Sequence, residues 1–184
     1  MMIDIRENYK KALPELTKKY GNVMAVPKIT KVVVNTGLGK LITGATSGEQ
    51  KKIFEAVTED LSNICGQKVV LTKAKKSIAT FKTRVGMPIG AKVTLRGPKM
   101  YDFLNRVINI ALPRSRDFQG ISNKSFDNQG SSTFAIREHV IFPTISPEKT
   151  RTVFGFEITI VTTAKNKEEG LELLKLMGFP LKKK

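Results

Sequence analysis

Residues 4 to 20 place Ile5, Tyr9, Leu13, Leu16 and Tyr20 at steps of three and four, the spacing of one face of an amphipathic helix. Pro14 should bend or divide that helix and Gly21 should end it. Residues 28 to 36 are rich in β-branched side chains and stop at Gly37 and Gly39, which predicts a strand with Lys31 and Asn35 on one face. Ser47 and Gln50 have the spacing of a capping box, ahead of a helix with Ile53, Phe54, Val57, Leu61 and Ile64 inward and Gly66 as its stop. A short strand follows from Lys68 to Thr72. From Ile89 to Arg96 the alternation is strict: Ile89, Ala91, Val93 and Leu95 face the core, and Lys92, Thr94 and Arg96 face away.

Pro98 at a start, Met100, Leu104, Val107, Ile108 and Ala111 inward, and Pro113 as a stop predict a well-buried helix. Arg114 to Ser132 reads as a long loop, and loops of that length in compact domains tend to be functional. Phe134, Ile136, Val140 and Phe142 alternate as one strand, with His139 inside it, and Phe154, Phe156, Ile158 and Ile160 as another. Asn166 and Glu169 cap a last helix with Leu171, Leu174 and Met177 inward and Gly178 as its stop. No internal repeat appears. The adjacent strand pairs favour antiparallel pairing, so the expected class is α+β, a single domain over residues 1 to 184 with helices on one face of an antiparallel sheet. The other face would collect Lys31, Asn35, Lys92, Thr94 and Arg96.

Composition turns attention to the partner. The chain has 184 residues and carries 32 Lys plus Arg against 16 Asp plus Glu, a net charge of +16 that attracts polyanions, nucleic acid first among them. With 40% hydrophobic residues it can still bury a core. From Leu61 to Tyr101 there is no acidic residue, while nine cations lie there: Lys68, Lys73, Lys75, Lys76, Lys82, Arg84, Lys92, Arg96 and Lys99. The centre of that segment, Thr72 to Met87, adds Ser77, Thr80, Thr83 and Gly86 to isolated Ile78 and Phe81. That suits an exposed basic loop laying cations and hydroxyls along phosphates, with Phe81 available to stack on a base. The plainer alternative is a solvated loop with Phe81 tucked into the domain.

Other chemistries find little support. One cysteine, Cys65, closes no intramolecular disulfide, and with the single His139 it falls short of a zinc ligand set. Gly37, Gly39 and Gly44 match neither nucleotide-binding glycine pattern, and a plain turn is the simpler reading. A Cys65–His139 nucleophilic pair would need accidental closeness and a third orienting group, so a structural histidine and a buried helical cysteine are expected, with no catalytic residues, no metal and no cofactor. The amino-terminal residues lack the apolar stretch of a signal peptide, and no run of ~18 apolar residues crosses a membrane, so a cytosolic, reduced setting is expected. Lys182, Lys183 and Lys184 read as a solvated basic tail.

Several strings are familiar: Pro27-Lys-Ile, Asn35-Thr-Gly-Leu-Gly39, Gly66-Gln-Lys, Thr72-Lys-Ala-Lys-Lys-Ser77, Met87-Pro-Ile-Gly-Ala-Lys-Val-Thr-Leu-Arg-Gly97, Pro113-Arg-Ser-Arg-Asp-Phe118, Lys124-Ser-Phe-Asp127, Ile141-Phe-Pro143 and Thr162-Thr-Ala-Lys165. In this order, over nearly the whole chain, they resemble the family of the universal large-subunit ribosomal protein number five, in its bacterial form. The Lys-Lys-Lys ending and the Gly44 to Gly48 turn depart from it in variable regions. The resemblance implies a protein of the cytoplasmic ribosome that binds 5S rRNA, anchors it in the central protuberance of the large subunit beside large-subunit rRNA, and catalyses nothing. It places Asn35, Gln67 and Thr94 on the 5S rRNA contact surface, where Lys31, Lys92 and Arg96 would add the salt-sensitive part. It turns the 72 to 87 loop toward P-site tRNA, with Lys73, Lys75, Lys76, Ser77, Phe81, Lys82 and Arg84 as the facing residues. Neighbouring ribosomal proteins are implied too, including one of the small-subunit head that meets the region His139 to Arg151. A non-specific basic nucleic-acid binder and a nucleic-acid-modifying enzyme are the competing readings.

Overall fold

The computed structural model describes residues 3–43, 45–116, 118–150 and 152–182. Gly44, Asp117, Arg151, Lys183 and Lys184, which figure in the sequence reading, lie outside the described residues. In chain order the elements are α1 (Ile5–Tyr20), β1 (Ile29–Gly37), α2 (Gly39–Ile42), α3 (Ser47–Cys65), β2 (Val70–Lys73), β3 (Pro88–Leu95), α4 (Gly97–Arg106), a wide π turn (Val107–Ala111), α5 (Leu112–Arg114), β4 (Ser132–Ile136), β5 (Phe156–Thr162) and α6 (Lys167–Leu176). The strands form one five-stranded antiparallel sheet in the order β2-β3-β1-β5-β4, so the α+β class stands. Two compact units emerge: Met1–Val32 with Leu95–Phe134 and Ile158–Lys184, and Val33–Thr94 with Ala135–Glu157.

In the first unit, α1 begins where the Asp4 carboxylate accepts the Arg6 N–H at 2.9 Å and ends at Gly21, whose φ of 71° is left-handed. Pro14 neither divides nor ends the helix, which runs unbroken for 16 residues. Two asparagines one helical turn apart pin its start. Asn105 Oδ1 accepts the Ile5 N–H at 3.0 Å; Asn109 Oδ1 accepts the Ile3 N–H at 2.8 Å, and Asn109 Nδ2 donates to Ile3 O at 2.8 Å. Around these polar ties the core is apolar, with Ile5, Leu16, Phe103, Leu104, Val107, Ile108, Leu173, Leu174 and Met177 all buried. Each such side chain contributes roughly 1.5–3 kcal/mol by leaving water.

Pro113 is not the stop that its residue type predicts. The helix widens to a π turn in which the Leu112 N–H reaches back to Val107 O, then continues for one more α turn to Arg114. A proline contributes no N–H to an α-helical ladder, and the π turn ahead of it re-registers the bonds. At the last helix, Glu169 Oε2 accepts the Lys165 N–H at 3.0 Å, one residue before Asn166, and Leu173 joins the predicted Leu174 and Met177 in the core while Leu171 stays half-buried.

In the second unit, the cap of α3 falls one residue earlier than predicted. Thr46, not Ser47, sets it: the Thr46 N–H and hydroxyl both donate to Glu49 Oε2 at 2.8 Å, which holds that carboxyl below its ordinary pKa. Gln50 instead reaches sideways to Ile42 O at 3.2 Å and Ala45 O at 2.9 Å. The glycines after β1, read as a plain turn, open a helical turn, α2, that buries Ile42. The predicted strand through Val140 and Phe142 stops at Ile136. His139–Ile141 is a 3-10 turn, because the His139 N–H donates to Phe154 O at 3.1 Å and the Phe154 N–H donates back to the ring Nδ1 at 3.3 Å, replacing a strand ladder with a side-chain bond. Phe142 still reaches the core, 6.0 Å from the Phe156 ring.

Candidate nucleic-acid interface

Along β3 the predicted alternation holds from Ala91 onward: Ala91, Val93 and Leu95 are buried, Lys92 is exposed and Thr94 is half-buried, whereas Ile89, expected inward, is only half-buried, and Arg96, just past the end of the strand, is exposed. Along β1, Val32, Val34 and Thr36 are buried, while Lys31 is half-buried and Asn35 exposed on the alternate positions. β3 and β1 are neighbours in the sheet, and Asn35, Gln67, Lys92 and Thr94 belong to one unit while Lys31 and Arg96 belong to the other. Close approach fixes the strand spacing at Gly90, where a Cβ would stand 2.7 Å from Thr36 O and 2.8 Å from Thr72 Oγ1.

Gln67 reaches this surface by way of a helix end. Gly66 caps α3 in the left-handed region, φ 65°, and turns the chain so that Gln67 Nε2 donates to Thr94 O at 3.0 Å. One amide proton is spent on that bond, which leaves the amide oxygen and the second proton for a partner. The Asn35 amide and the Thr94 hydroxyl bond no other described residue, so both retain their donors and acceptors. Gln67 and Thr94 are thus brought together by a direct bond, which their separation of 27 positions conceals in the sequence.

Residues 72 to 87, termed the arm below, are mostly exposed. β2 pairs with β3 from Val70↔Lys92 to Lys73↔Pro88, with an irregularity between Thr72 and Lys73. Beyond it the Ala74 N–H donates to Met87 O at 2.8 Å and the Gly86 N–H to Ala74 O at 3.0 Å. Ile78 and Thr83 exchange two backbone bonds of 3.2 Å around a 3-10 turn, Ala79–Phe81, and Ser77 Oγ accepts the Val85 N–H at 3.1 Å. Ser77 therefore braces the arm and keeps its hydroxyl proton and one lone pair to offer. Lys73, Lys75, Lys76, Lys82 and Arg84 are all exposed, and none forms an ion pair with a described residue. Phe81 is 63% exposed, so the tucked-in alternative fails.

His139 has no place on any surface, being fully buried. Its ring stacks on Phe154 at 4.0 Å, its Nδ1 accepts a backbone proton, and its Nε2 faces Asp60 Oδ2 at 3.4 Å without hydrogen-bond geometry. Burial pulls the imidazole below its ordinary pKa, against the opposing pull of Asp60, while burial raises the Asp60 carboxyl. Only Nδ1 is engaged in a hydrogen bond, Nε2 is walled off beside Asp60, and the Cys65 thiol is buried at the end of α3. Among the described residues no three His, Cys, Asp or Glu side chains converge to hold a metal ion, and no helix is long and apolar enough to cross a membrane. Sequence reasoning missed Lys40, which α2 carries to the base of the arm; its only sequence signal is its place just after the glycine pair.

Comparison with known proteins bears on all of this. Residues 22–84 match the family model described as ribosomal protein L5, and residues 88–181 match the model for the C-terminus of the same ribosomal family. Halothermothrix orenii has a large ribosomal subunit protein uL5 that is 53% identical over 179 residues, covering 96% of this chain and 97% of that protein. The uL5 protein of Desulfotalea psychrophila is 51% identical, covering 99% and 100%, and that of Syntrophotalea carbinolica is 54% identical, covering 93% and 91%. With two family models spanning most of its length and relatives at this identity over nearly all of it, the chain belongs to the uL5 family of large-ribosomal-subunit proteins.

Proposed function

We propose that this chain, a structural and non-enzymatic protein of the large subunit of the cytoplasmic ribosome, binds 5S rRNA through Asn35, Gln67, Lys92 and Thr94 and anchors it in the central protuberance. The observation that carries the reading is the Gln67 Nε2 to Thr94 O bond of 3.0 Å, which fixes the Gln67 amide against the Thr94 backbone, close to the Thr94 hydroxyl and Lys92, in a segment free of acidic residues. Neutral groups of this kind read ribose hydroxyls and base edges, and the cations supply salt-sensitive attraction to phosphates. Lys31 in β1 and Arg96, just past the end of β3, add to the second part.

The arm is a separate element of the same RNA-binding domain. Lys73, Lys75, Lys76, Lys82 and Arg84, with Ser77 and Phe81, face P-site tRNA. The region His139 to Arg151 meets a protein of the small-subunit head, with Pro143, Thr144, Ser146, Pro147 and Glu148 among its exposed side chains. His139 itself is buried and supports that region from beneath.

A filter-binding titration against 5S rRNA, with tRNA and duplex DNA as competitors and repeated across salt, tests the first claim. Selective binding that persists as salt rises, and weakens about tenfold in Gln67→Ala, is the expected result, since a lost hydrogen bond of ~1–1.5 kcal/mol is nearly a tenfold change. Indiscriminate binding that collapses with salt in both proteins supports instead a non-specific basic binder.

A further inference from the structure

Beneath the arm lies a cavity of about 1130 Å³, bounded by α2 and its flanks on one side and by the inner surface of the arm on the other. Its walls are apolar, with Ile42, Ala45, Ile78, Phe81, Met87 and Ile89 prominent, and every charged side chain that lines it is a lysine: Lys40, Lys75, Lys76 and Lys82. Lys82 sits at φ 50°, the left-handed region that a lysine rarely occupies, and it is the only described non-glycine residue with positive φ. None of these four lysines is paired with a carboxylate among the described residues. An apolar chamber rimmed only by cations fits a ligand with a flat, weakly polar body and an anionic connector.

We propose that this cavity receives an unstacked nucleobase of the RNA that the arm engages, the base lying against Phe81 and the flanking phosphates meeting the lysine rim. The proposal rests on the reading of the arm as an RNA-binding element and adds a base-binding site to it. Phosphate contacts alone would need only the cations on the outer surface of the arm; the exposed ring and the apolar floor below it are what a base requires, since every base has a face that stacks on an aromatic side chain. An extended acidic peptide meets the same lysines but finds no open strand edge at the tip, where the Ile78 and Thr83 backbone groups already bond each other.

The test uses the full chain and a single-stranded hexaribonucleotide with 2-aminopurine at its centre and a dye at one end. Dye anisotropy reports binding, and 2-aminopurine fluorescence reports stacking. The wild-type protein should bind and quench. Ala45→Phe, which fills the chamber from a half-buried position without touching a cation, should weaken binding about tenfold and restore the fluorescence, with circular dichroism confirming the fold. Phe81→Ala changes an exposed side chain that the fold does not need, and it should abolish quenching. Binding without quenching, or quenching that Ala45→Phe leaves unchanged, overturns the base site while leaving the arm as a phosphate binder. Equal competition by an acidic, phenylalanine-containing hexapeptide also overturns it. No binding of the oligonucleotide at all defeats the arm reading itself.

Discussion

Replacing Gly170 by alanine sets two effects of known sign against each other. The residue is in the interior of α6, where alanine is preferred over glycine by about 1 kcal/mol, so local propensity alone predicts a gain. The structure predicts a loss. A Cβ on Gly170 would collide with Gly130 O and stand 2.7 Å from Gly130 C, against the ~3.5–4.0 Å at which carbon atoms rest. The obstacle is backbone and cannot rotate away. Gly130 is itself held at φ 72°, with its carbonyl accepting the Thr162 hydroxyl at 3.1 Å, so α6 must move outward and open the packing of Leu173 and Leu174. Overpacking of this kind costs about 1–3 kcal/mol, and with an immovable neighbour the upper part of that range applies. Subtracting the propensity gain leaves about 2 kcal/mol of net destabilisation, or a Tm lower by about 4–8 °C for a chain of this length. Thermal unfolding followed by circular dichroism measures it. Gly48→Ala, in the first turn of α3 with nothing within 4 Å of its Cβ, is the matched control and should leave Tm level or raise it slightly. A Gly170→Ala protein that melts at or above the wild-type temperature would refute the packing argument.

His139 is the single histidine, so acid titration near neutrality reads it together with the adjacent Asp60 carboxyl. The folded pKa of the imidazole lies below the unfolded value of about 6.5, so the unfolded chain takes up the proton first. Stability should be fully present above that value and fall as pH drops below it, and His139→Gln should flatten this dependence in urea titrations; a steady stability from pH 7 to 5 in the wild type would count against a buried neutral imidazole. Asn109→Ala removes two bonds to the Ile3 backbone, at 2.8 Å each, and should cost about 2 kcal/mol in urea unfolding, with amide exchange at the start of α1 rising sharply. Neutralising Lys73, Lys75 and Lys76 together should leave 5S rRNA affinity nearly unchanged but weaken tRNA engagement by assembled ribosomes; an equal loss of 5S binding would merge the two surfaces.

The chain announces some features plainly and hides others. The β3 alternation is legible because one side of that strand is core and the other is not, so period two survives in the residue types. The same pattern misleads at Val140 and Phe142, where a 3-10 turn delivers Phe142 to the core without a pleat. Pro113 misleads because its missing donor is accommodated by re-registering the helix rather than ending it. At the capping box, two overlapping Ser/Thr and Glu/Gln pairs, Thr46 with Glu49 and Ser47 with Gln50, satisfy the same spacing, and only the observed bonds decide between them. Of the candidate interface, the acid-free segment and the exposed arm could be read from charge and hydroxyl content. The Gln67–Thr94 bond, the chamber under the arm and the closeness of Lys40 arise from chain reversals at Gly66 and after β1, which leave no local periodicity to read.

β2 is an outer strand of the sheet, and its apolar Val70 and Leu71 are exposed. An open edge of this composition is a template on which a second copy can pair, the first step of aggregation. Lys68 and Lys73 flank it, within a segment that holds nine cations and no acid. The surplus charge thus serves a second purpose: before any RNA is met, it keeps newly made copies apart by mutual repulsion. That guard depends on ionic strength, so polyanions or salt that neutralise the lysines without covering the edge leave the strand free to recruit another of its kind.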